Sequence, residues 1–203
     1  MWKAKIMTKA IQTSALNQLF DEARTFNEWS DKPVDEKTIR ELYDHLKWGP
    51  TSANCCPARF VWVRSAEGKA KLAALAMERN RTKILAAPVT VIIAHDLAFP
   101  ETLPKLNPQQ AEAMQKFFRQ SGMAEVTALR NGTLQGAYLI IGARALGLDC
   151  GPMSGFDNAG VDAAFFSDTT VQSNFICCIG YGKSGTPHPR NPRLTFETAC
   201  QFS

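Results

Sequence analysis

The chain has 203 residues, 45% of them hydrophobic and 21% charged, and a formal net charge of +4. That length allows one unit with a sizeable core, and the composition is ordinary for a folded globular protein. The basic residues are scattered, which argues against nucleic acid as a partner, and no apolar run is long enough to span a membrane.

Residues 1–14 mix Lys, Thr and Gln with isolated apolar residues and lack the core of a secretory signal. Met7 offers a second start. This stretch therefore reads as an N-terminal extension, open to disorder, ahead of a single domain over 15–203. A cytoplasmic location is expected. The six cysteines include two adjacent pairs, Cys55-Cys56 and Cys177-Cys178, and no C-x-x-C. With His45, His95 and His188 dispersed, no metal site is expected, and reduced thiols packed as small hydrophobes are.

Residues 15–23 read as a short helix with Leu16, Leu19 and Phe20 on one face. Asp35 caps the next helix, where Ile39, Leu42, Tyr43 and Leu46 recur at helical spacing. Gly49 and Pro50 end it. Residues 50–57 form a stiff polar loop, in which Pro50 and Pro57 fix φ and Thr51, Ser52 and Asn54 present short polar groups. Residues 60–63 predict a strand covered on both faces. Ser65 caps a helix carrying Leu72, Leu75 and Met77, a dense polar cluster fills 78–83, and 88–94 predict a second buried strand.

Residues 97–108 hold three prolines and little periodicity, as a functional loop or lid would. A polar helix follows over 109–120. Residues 124–146 form the longest helical stretch, whose apolar second half predicts a helix buried on every side, in the core or at a dimer seam. A short strand leads to Gly151-Pro152-Met153-Ser154-Gly155-Phe156, a helix capped by Asp157 or Asn158 runs through Phe166, and 174–181 predict a third buried strand. The tail 188–194 is extended and basic. Few strands separated by helices imply an α/β or α+β class around one sheet.

No dinucleotide fingerprint, P-loop or nucleophile elbow is present. Instead, polar clusters stand at the ends of apolar elements: P-T-S-A-N at 50–54, N-R-T-K at 80–83, G-P-M-S-G-F at 151–156 and P-R-N-P-R in the tail. In that order they resemble the FMN-dependent nitroreductase family, and within it the branch containing malonic semialdehyde reductase of pyrimidine degradation. The resemblance spans nearly the whole chain.

It implies an α+β fold, with a central mixed β-sheet wrapped by helices, in an intertwined homodimer with FMN at the interface. It places Arg24, Thr25 and Asn27 on the FMN phosphate and ribityl chain, joined by Arg190 and Arg193, whose planar forks match phosphate oxygens. The family often has a second basic residue where Asn27 stands. Pro50, Thr51, Ser52 and Asn54 match a loop that reaches the flavin from the other subunit. Asn80 and Lys83 match contacts to the ring, where an ammonium stabilises negative charge. Pro152, Ser154 and Gly155 match the segment beside flavin N5. Many relatives carry an acidic residue in place of Ser154.

The implied reaction is ping-pong hydride transfer from NADH or NADPH to malonic semialdehyde. The product's proton is expected from water or from a site hydroxyl such as Ser52, and Arg59 or Lys105 is available to a substrate carboxylate. The alternative is a broad nitroaromatic or quinone reductase. A lid region that makes a small charged pocket favours the first, an open aromatic one the second. A reading of another class is a non-catalytic flavin-binding or redox-sensing module, with Cys55-Cys56 responding.

Overall fold

The computed structural model describes residues 9–185 and 187–203. Four strands, β1 (Ala58–Val63), β2 (Val89–Asp96), β3 (Asp149–Met153) and β4 (Val171–Gly180), form one sheet in the order β1-β2-β4-β3. Every ladder between them is antiparallel. The mixed character expected of the sheet comes down to one parallel bridge, Thr25 to Cys150, where the chain passes beside β3.

Around the sheet lie α1 (Thr13–Leu16), α2 (Glu36–Leu46), α3 (Ala66–Ala74), α4 (Glu78–Ala86), α5 (Leu103–Leu106), α6 (Ala111–Phe118), α7 (Met123–Ala145), α8 (Asn158–Phe165) and α9 (Phe196–Ala199). Between β1 and β2 the pair α3 and α4 returns the chain to the end of the sheet it left, so these strands run antiparallel; a single crossover helix would make them parallel. Three helices start where short acceptors stand. Asp35, Ser65 and Asp157 accept from the backbone N–H of Thr38, Gly68 and Gly160. Gly147, at φ +74°, stands two residues beyond the end of α7, where a left-handed turn suits glycine.

The alternation of β2 builds two cores. Val89, Val91 and Ile93 pack with Ile39, Leu42 and Leu46 of α2 and Leu139 and Ala143 of α7. Ile92 and Ala94 pack on the opposite face with Leu72, Ile84 and Val161, from α3, α4 and α8. The sheet is thus covered by helices on both sides.

Several expectations need correction. The first helix opens at Thr13, inside the span assigned to an extension, and continues as a π turn over Asn17–Asp21, closed by Glu22 N–H on the Asn17 carbonyl at 2.8 Å. Residues 1–8 of that span lie outside the described residues. The helix carrying Leu72 ends at Ala74, and the polar cluster at 78–83 is itself the start of α4. Met77 is the residue before α4. Strand β1 is an outer strand, and all its residues except Val63 are only partly buried. The 97–108 segment holds α5, and its Phe99 and Leu103 pack with Cys55, Phe118 and Ala128 in a small third core. Finally, α7 is buried on one side only: Gly136, Leu139 and Ala143 face inward, while Leu134 is 42% exposed. Its second half is largely apolar all round, but within one chain one sheet face and α2 cover only part of its circumference.

Candidate functional site

Four of the segments singled out in the sequence form two groups. The first begins at residues 24–27. Phe26 N–H donates to the Cys150 carbonyl at 3.1 Å, and a side chain on Gly151 would collide with the Phe26 carbonyl. Only glycine at 151 lets this segment lie against β3. Arg24, Thr25 and Asn27 there line a cleft of about 510 Å³, closed from the other side by His188, Arg190 and Arg193 of the tail. Residues more than 160 positions apart, such as Arg24 and Arg190, thus meet in one place.

The guanidinium groups are oriented by backbone. Arg24 Nη1 donates to the Ala23 carbonyl at 3.0 Å, and Arg190 Nη2 lies within hydrogen-bond range of the carbonyls of Phe20, Asp21 and Ala23. Arg193 Nη1 donates to the Asn191 carbonyl at 2.8 Å. Among the described residues none of these arginines forms an ion pair with a carboxylate, although Asp21 lines the same cleft. A fourth arginine, Arg144 from the last turn of α7, also lines it. Sequence reasoning missed Arg144; the signal was a cation in the last turn of a helix whose second half is otherwise largely apolar. The cleft is therefore suited to a multiply charged anion such as a phosphate, which arginine forks recognise.

Farther along lie Pro152, in β3, and then Ser154 and Gly155 just beyond its end. Asn80, buried in the first turn of α4, donates through Nδ2 to the Gly155 carbonyl at 3.0 Å, and Met77 N–H donates to the same oxygen at 3.0 Å. Lys83 stands one turn on from Asn80 on the same side of α4, half-buried and without an ion pair among the described residues. Asn80 and Gly155 are thus in contact, with Lys83 one helical turn beyond Asn80. Glycine at 155 has a local reason. A Cβ there would come within 2.8 Å of Asn80 Nδ2 and 2.9 Å of the Met77 sulfur, so the close approach is to α4.

The 50–57 loop is elsewhere. Three polar residues of α7, at i, i+4 and i+7, hold it. Asn131 Oδ1 accepts from Ser52 N–H at 2.8 Å, Gln135 Oε1 from Ala58 N–H at 2.9 Å, and Tyr138 Oη donates to the Pro50 carbonyl at 2.9 Å. These loop holders were also missed; polar residues recurring on one face of an apolar helix were the clue. Thr51 Oγ1 accepts from Cys56 N–H, and Asn54 Nδ2 donates to the carbonyl of Leu106, the last residue of α5, at 2.7 Å. The amide donor of Asn54 is therefore engaged within the chain. The Ser52 hydroxyl makes no hydrogen bond among the described residues. Ala53, Asn54 and Cys56 have φ of 51°, 53° and 40°, a strained run for residues other than glycine.

Beside this loop opens a second cleft, of about 490 Å³, lined by Tyr43, Trp48, Phe60, Asn54, Arg59 and Lys105 among others. Arg59 is paired with Asp96 at 2.7 Å, and the hydrogen bonds from Thr170 and Ala98 N–H together with Arg59 hold the Asp96 carboxyl below its usual range despite burial. Lys105 has no ion pair among the described residues. Cys55 lies under the loop, and burial pushes its thiol up to about 11. The loop sits on the α7 side of the sheet and the Asn80–Gly155 cluster on the α4 side. One chain does not bring the two together.

An α+β sandwich with a basic cleft at one sheet edge and a strained polar loop at the other defines a class. The profile of the Nitroreductase family matches residues 22–182, and the chain belongs to that family. A relative from Caulobacter sp. (strain K31), provisionally named an NADH dehydrogenase/NAD(P)H nitroreductase, is 59% identical over 192 residues, 95% of this chain and 98% of its own. The fold is shared with a protein from Bacillus subtilis provisionally named a nitroreductase, at TM-score 0.84 and 20% identity over 95% of this chain and all of that one. It is also shared with a nitroreductase from Exiguobacterium sibiricum solved with FMN, at TM-score 0.82 and 19% identity over 97% and 99% of the two chains.

Proposed function

We propose that this chain is an FMN-dependent oxidoreductase using NADH or NADPH, and that two copies of it build each site. The observation that carries this reading is the basic cleft. Arg24, Thr25, Asn27, Arg190 and Arg193 converge on one space of about 510 Å³, with no ion-paired carboxylate among the described residues to neutralise the arginines. The relatives' names and the FMN-bound neighbour point the same way.

Bound FMN supplies a carrier that accepts two electrons from the nicotinamide and passes them to an acceptor. The residues position and stabilise it. Arg24, Arg190 and Arg193 take the phosphate, while Thr25 and Asn27 hydrogen-bond the chain that follows. Asn80 and Lys83 face the ring, and the Lys83 ammonium favours negative charge there. Pro152, Ser154 and Gly155 form the adjoining wall. Pro50, Thr51, Ser52 and Asn54 come from the second copy, because within one chain they lie across the sheet from Lys83. The unengaged Ser52 hydroxyl is then placed to hand over a proton. Residues 15–203 act as one nitroreductase-like domain in a cytoplasmic homodimer, consistent with six free thiols.

The acceptor we favour is a flat aromatic oxidant, a nitro compound or a quinone. The cleft beside the loop is about 490 Å³ and carries Tyr43, Trp48 (81% exposed) and Phe60, more room and more aromatic surface than a three-carbon acid fills. A second reading, malonic semialdehyde, is favoured by one observation: Lys105 offers that cleft a cation unpaired among the described residues. Anaerobic mixing of the FMN-loaded protein with NADH or NADPH tests the oxidoreductase reading. The flavin absorbance is expected to bleach within a turnover, more slowly in Lys83→Ala; flavin that no nicotinamide reduces refutes it. Oxidation of the reduced protein by nitro compounds, quinones and semialdehydes then ranks the acceptors.

A further inference from the structure

We infer that Arg144 is a binding residue of the basic cleft, and that it sets the preference for a phosphorylated over an unphosphorylated ligand. The inference rests on the cleft being the FMN phosphate site. Arg24, Arg190 and Arg193 come from a loop and the tail, and each places one guanidinium nitrogen on neighbouring backbone carbonyls. Arg144 comes from the last turn of α7, next to Ala143, which is buried in the core beside the sheet, so its Cα stands on a regular, packed helix.

Its side chain is bound on one side only. Arg144 Nη1 donates to the Leu19 carbonyl at 2.9 Å, which fixes the guanidinium plane against the first helical segment. Gln18 Nε2 donates in turn to the Arg144 carbonyl at 2.7 Å. Arg144 Nε is fully buried and has no hydrogen-bond partner. No carboxylate pairs with the residue among the described residues. A half-buried guanidinium in this condition has lost hydration without gaining a counter-charge. An anion in the cleft that Arg144 lines restores that balance. A purely structural role, a cation ending a helix and tied to Leu19, is the competing account.

The two accounts separate on the ligand's phosphate. Flavin-depleted protein is titrated with FMN and with riboflavin, following flavin fluorescence, for the wild type, Arg144→Met and Arg144→Lys. Arg144→Met is expected to weaken FMN binding about tenfold or more, the worth of one charge-assisted contact, while riboflavin binding changes less than about twofold. Arg144→Lys, which keeps the charge, is expected to recover most of the loss. Equal weakening for both flavins, or none for either, overturns the inference. A wild type that binds FMN no better than riboflavin refutes instead the phosphate reading of the cleft, and the inference with it. Matching circular dichroism of the three proteins checks that each is folded.

Discussion

Cys55 and Cys56 are neighbours in sequence with different surroundings. Cys55 is fully buried against Phe99 and Phe118, and its thiol is pushed up to about 11. Cys56 is half-buried at φ 40° and borders the cleft beside the 50–57 loop. Cys178 behaves like Cys55, raised by burial to about 11, and Cys177 is raised by its hydrogen bond with Cys150 and by burial. A thiol reacts as its thiolate, and a raised pKa leaves little of it at neutral pH. Brief treatment of the native protein with iodoacetamide near pH 7.5, read by peptide mass spectrometry, should therefore modify Cys200 and Cys56. Cys55, Cys150, Cys177 and Cys178 should stay intact. Loading with FMN should slow the reaction at Cys56 if the loop belongs to the flavin site. Rapid labelling of Cys55 would instead revive the redox-sensing reading of the pair.

At the scale of elements, α7 shows how much can be read from residue order and where reading stops. Its existence and length follow from an unbroken helical run closed by Gly147. Which side is inward does not follow, because apolar residues surround it and no stripe marks the core. The sheet decides: a Cβ on Gly136 would come within 2.5 Å of Phe175 Cζ and 3.1 Å of Ile93 Cγ2. Replacing Gly136 with Val should thus cost about 1–3 kcal/mol through overpacking, seen as a lower midpoint in urea. An unchanged midpoint would mean that α7 has room to shift on the sheet. The same contrast holds elsewhere. Helix α2 was legible from Asp35 and its apolar spacing, but α4 was not, since Asn80 and Ile84 are its only buried side chains. The prolines around α5 disguised a helix anchored by Leu103. For the site, the polar segments could be picked out but not their partners. Asn131, Gln135, Tyr138 and Arg144 could be noticed on α7, but the distant backbone groups they reach could not.

For the molecule as a whole, the decisive feature is that the two halves of the proposed site are separated by the sheet. Asn80, Lys83 and Gly155 belong to the layer of α3, α4 and α8, whereas the 50–57 loop is fastened to α7 on the other face. No hinge within one chain joins groups on opposite sides of a packed sheet without unfolding a core, so a shared site needs a second copy. The outer side of α7 offers it a surface. Val126, Leu129 and Leu134 are 51%, 49% and 42% exposed there, three apolar side chains beside the exposed Arg130 and Thr133 that a lone chain would leave in water. Leu134→Glu places a charge on that surface without touching either half of the site in its own chain. The expected result is a shift from dimer to monomer in sedimentation, with FMN retention falling in parallel while circular dichroism is unchanged. Loss of the dimer with full FMN affinity would show that one copy suffices and that the loop serves another purpose. A wild type that sediments as a monomer and still holds FMN would remove the second copy from the site altogether.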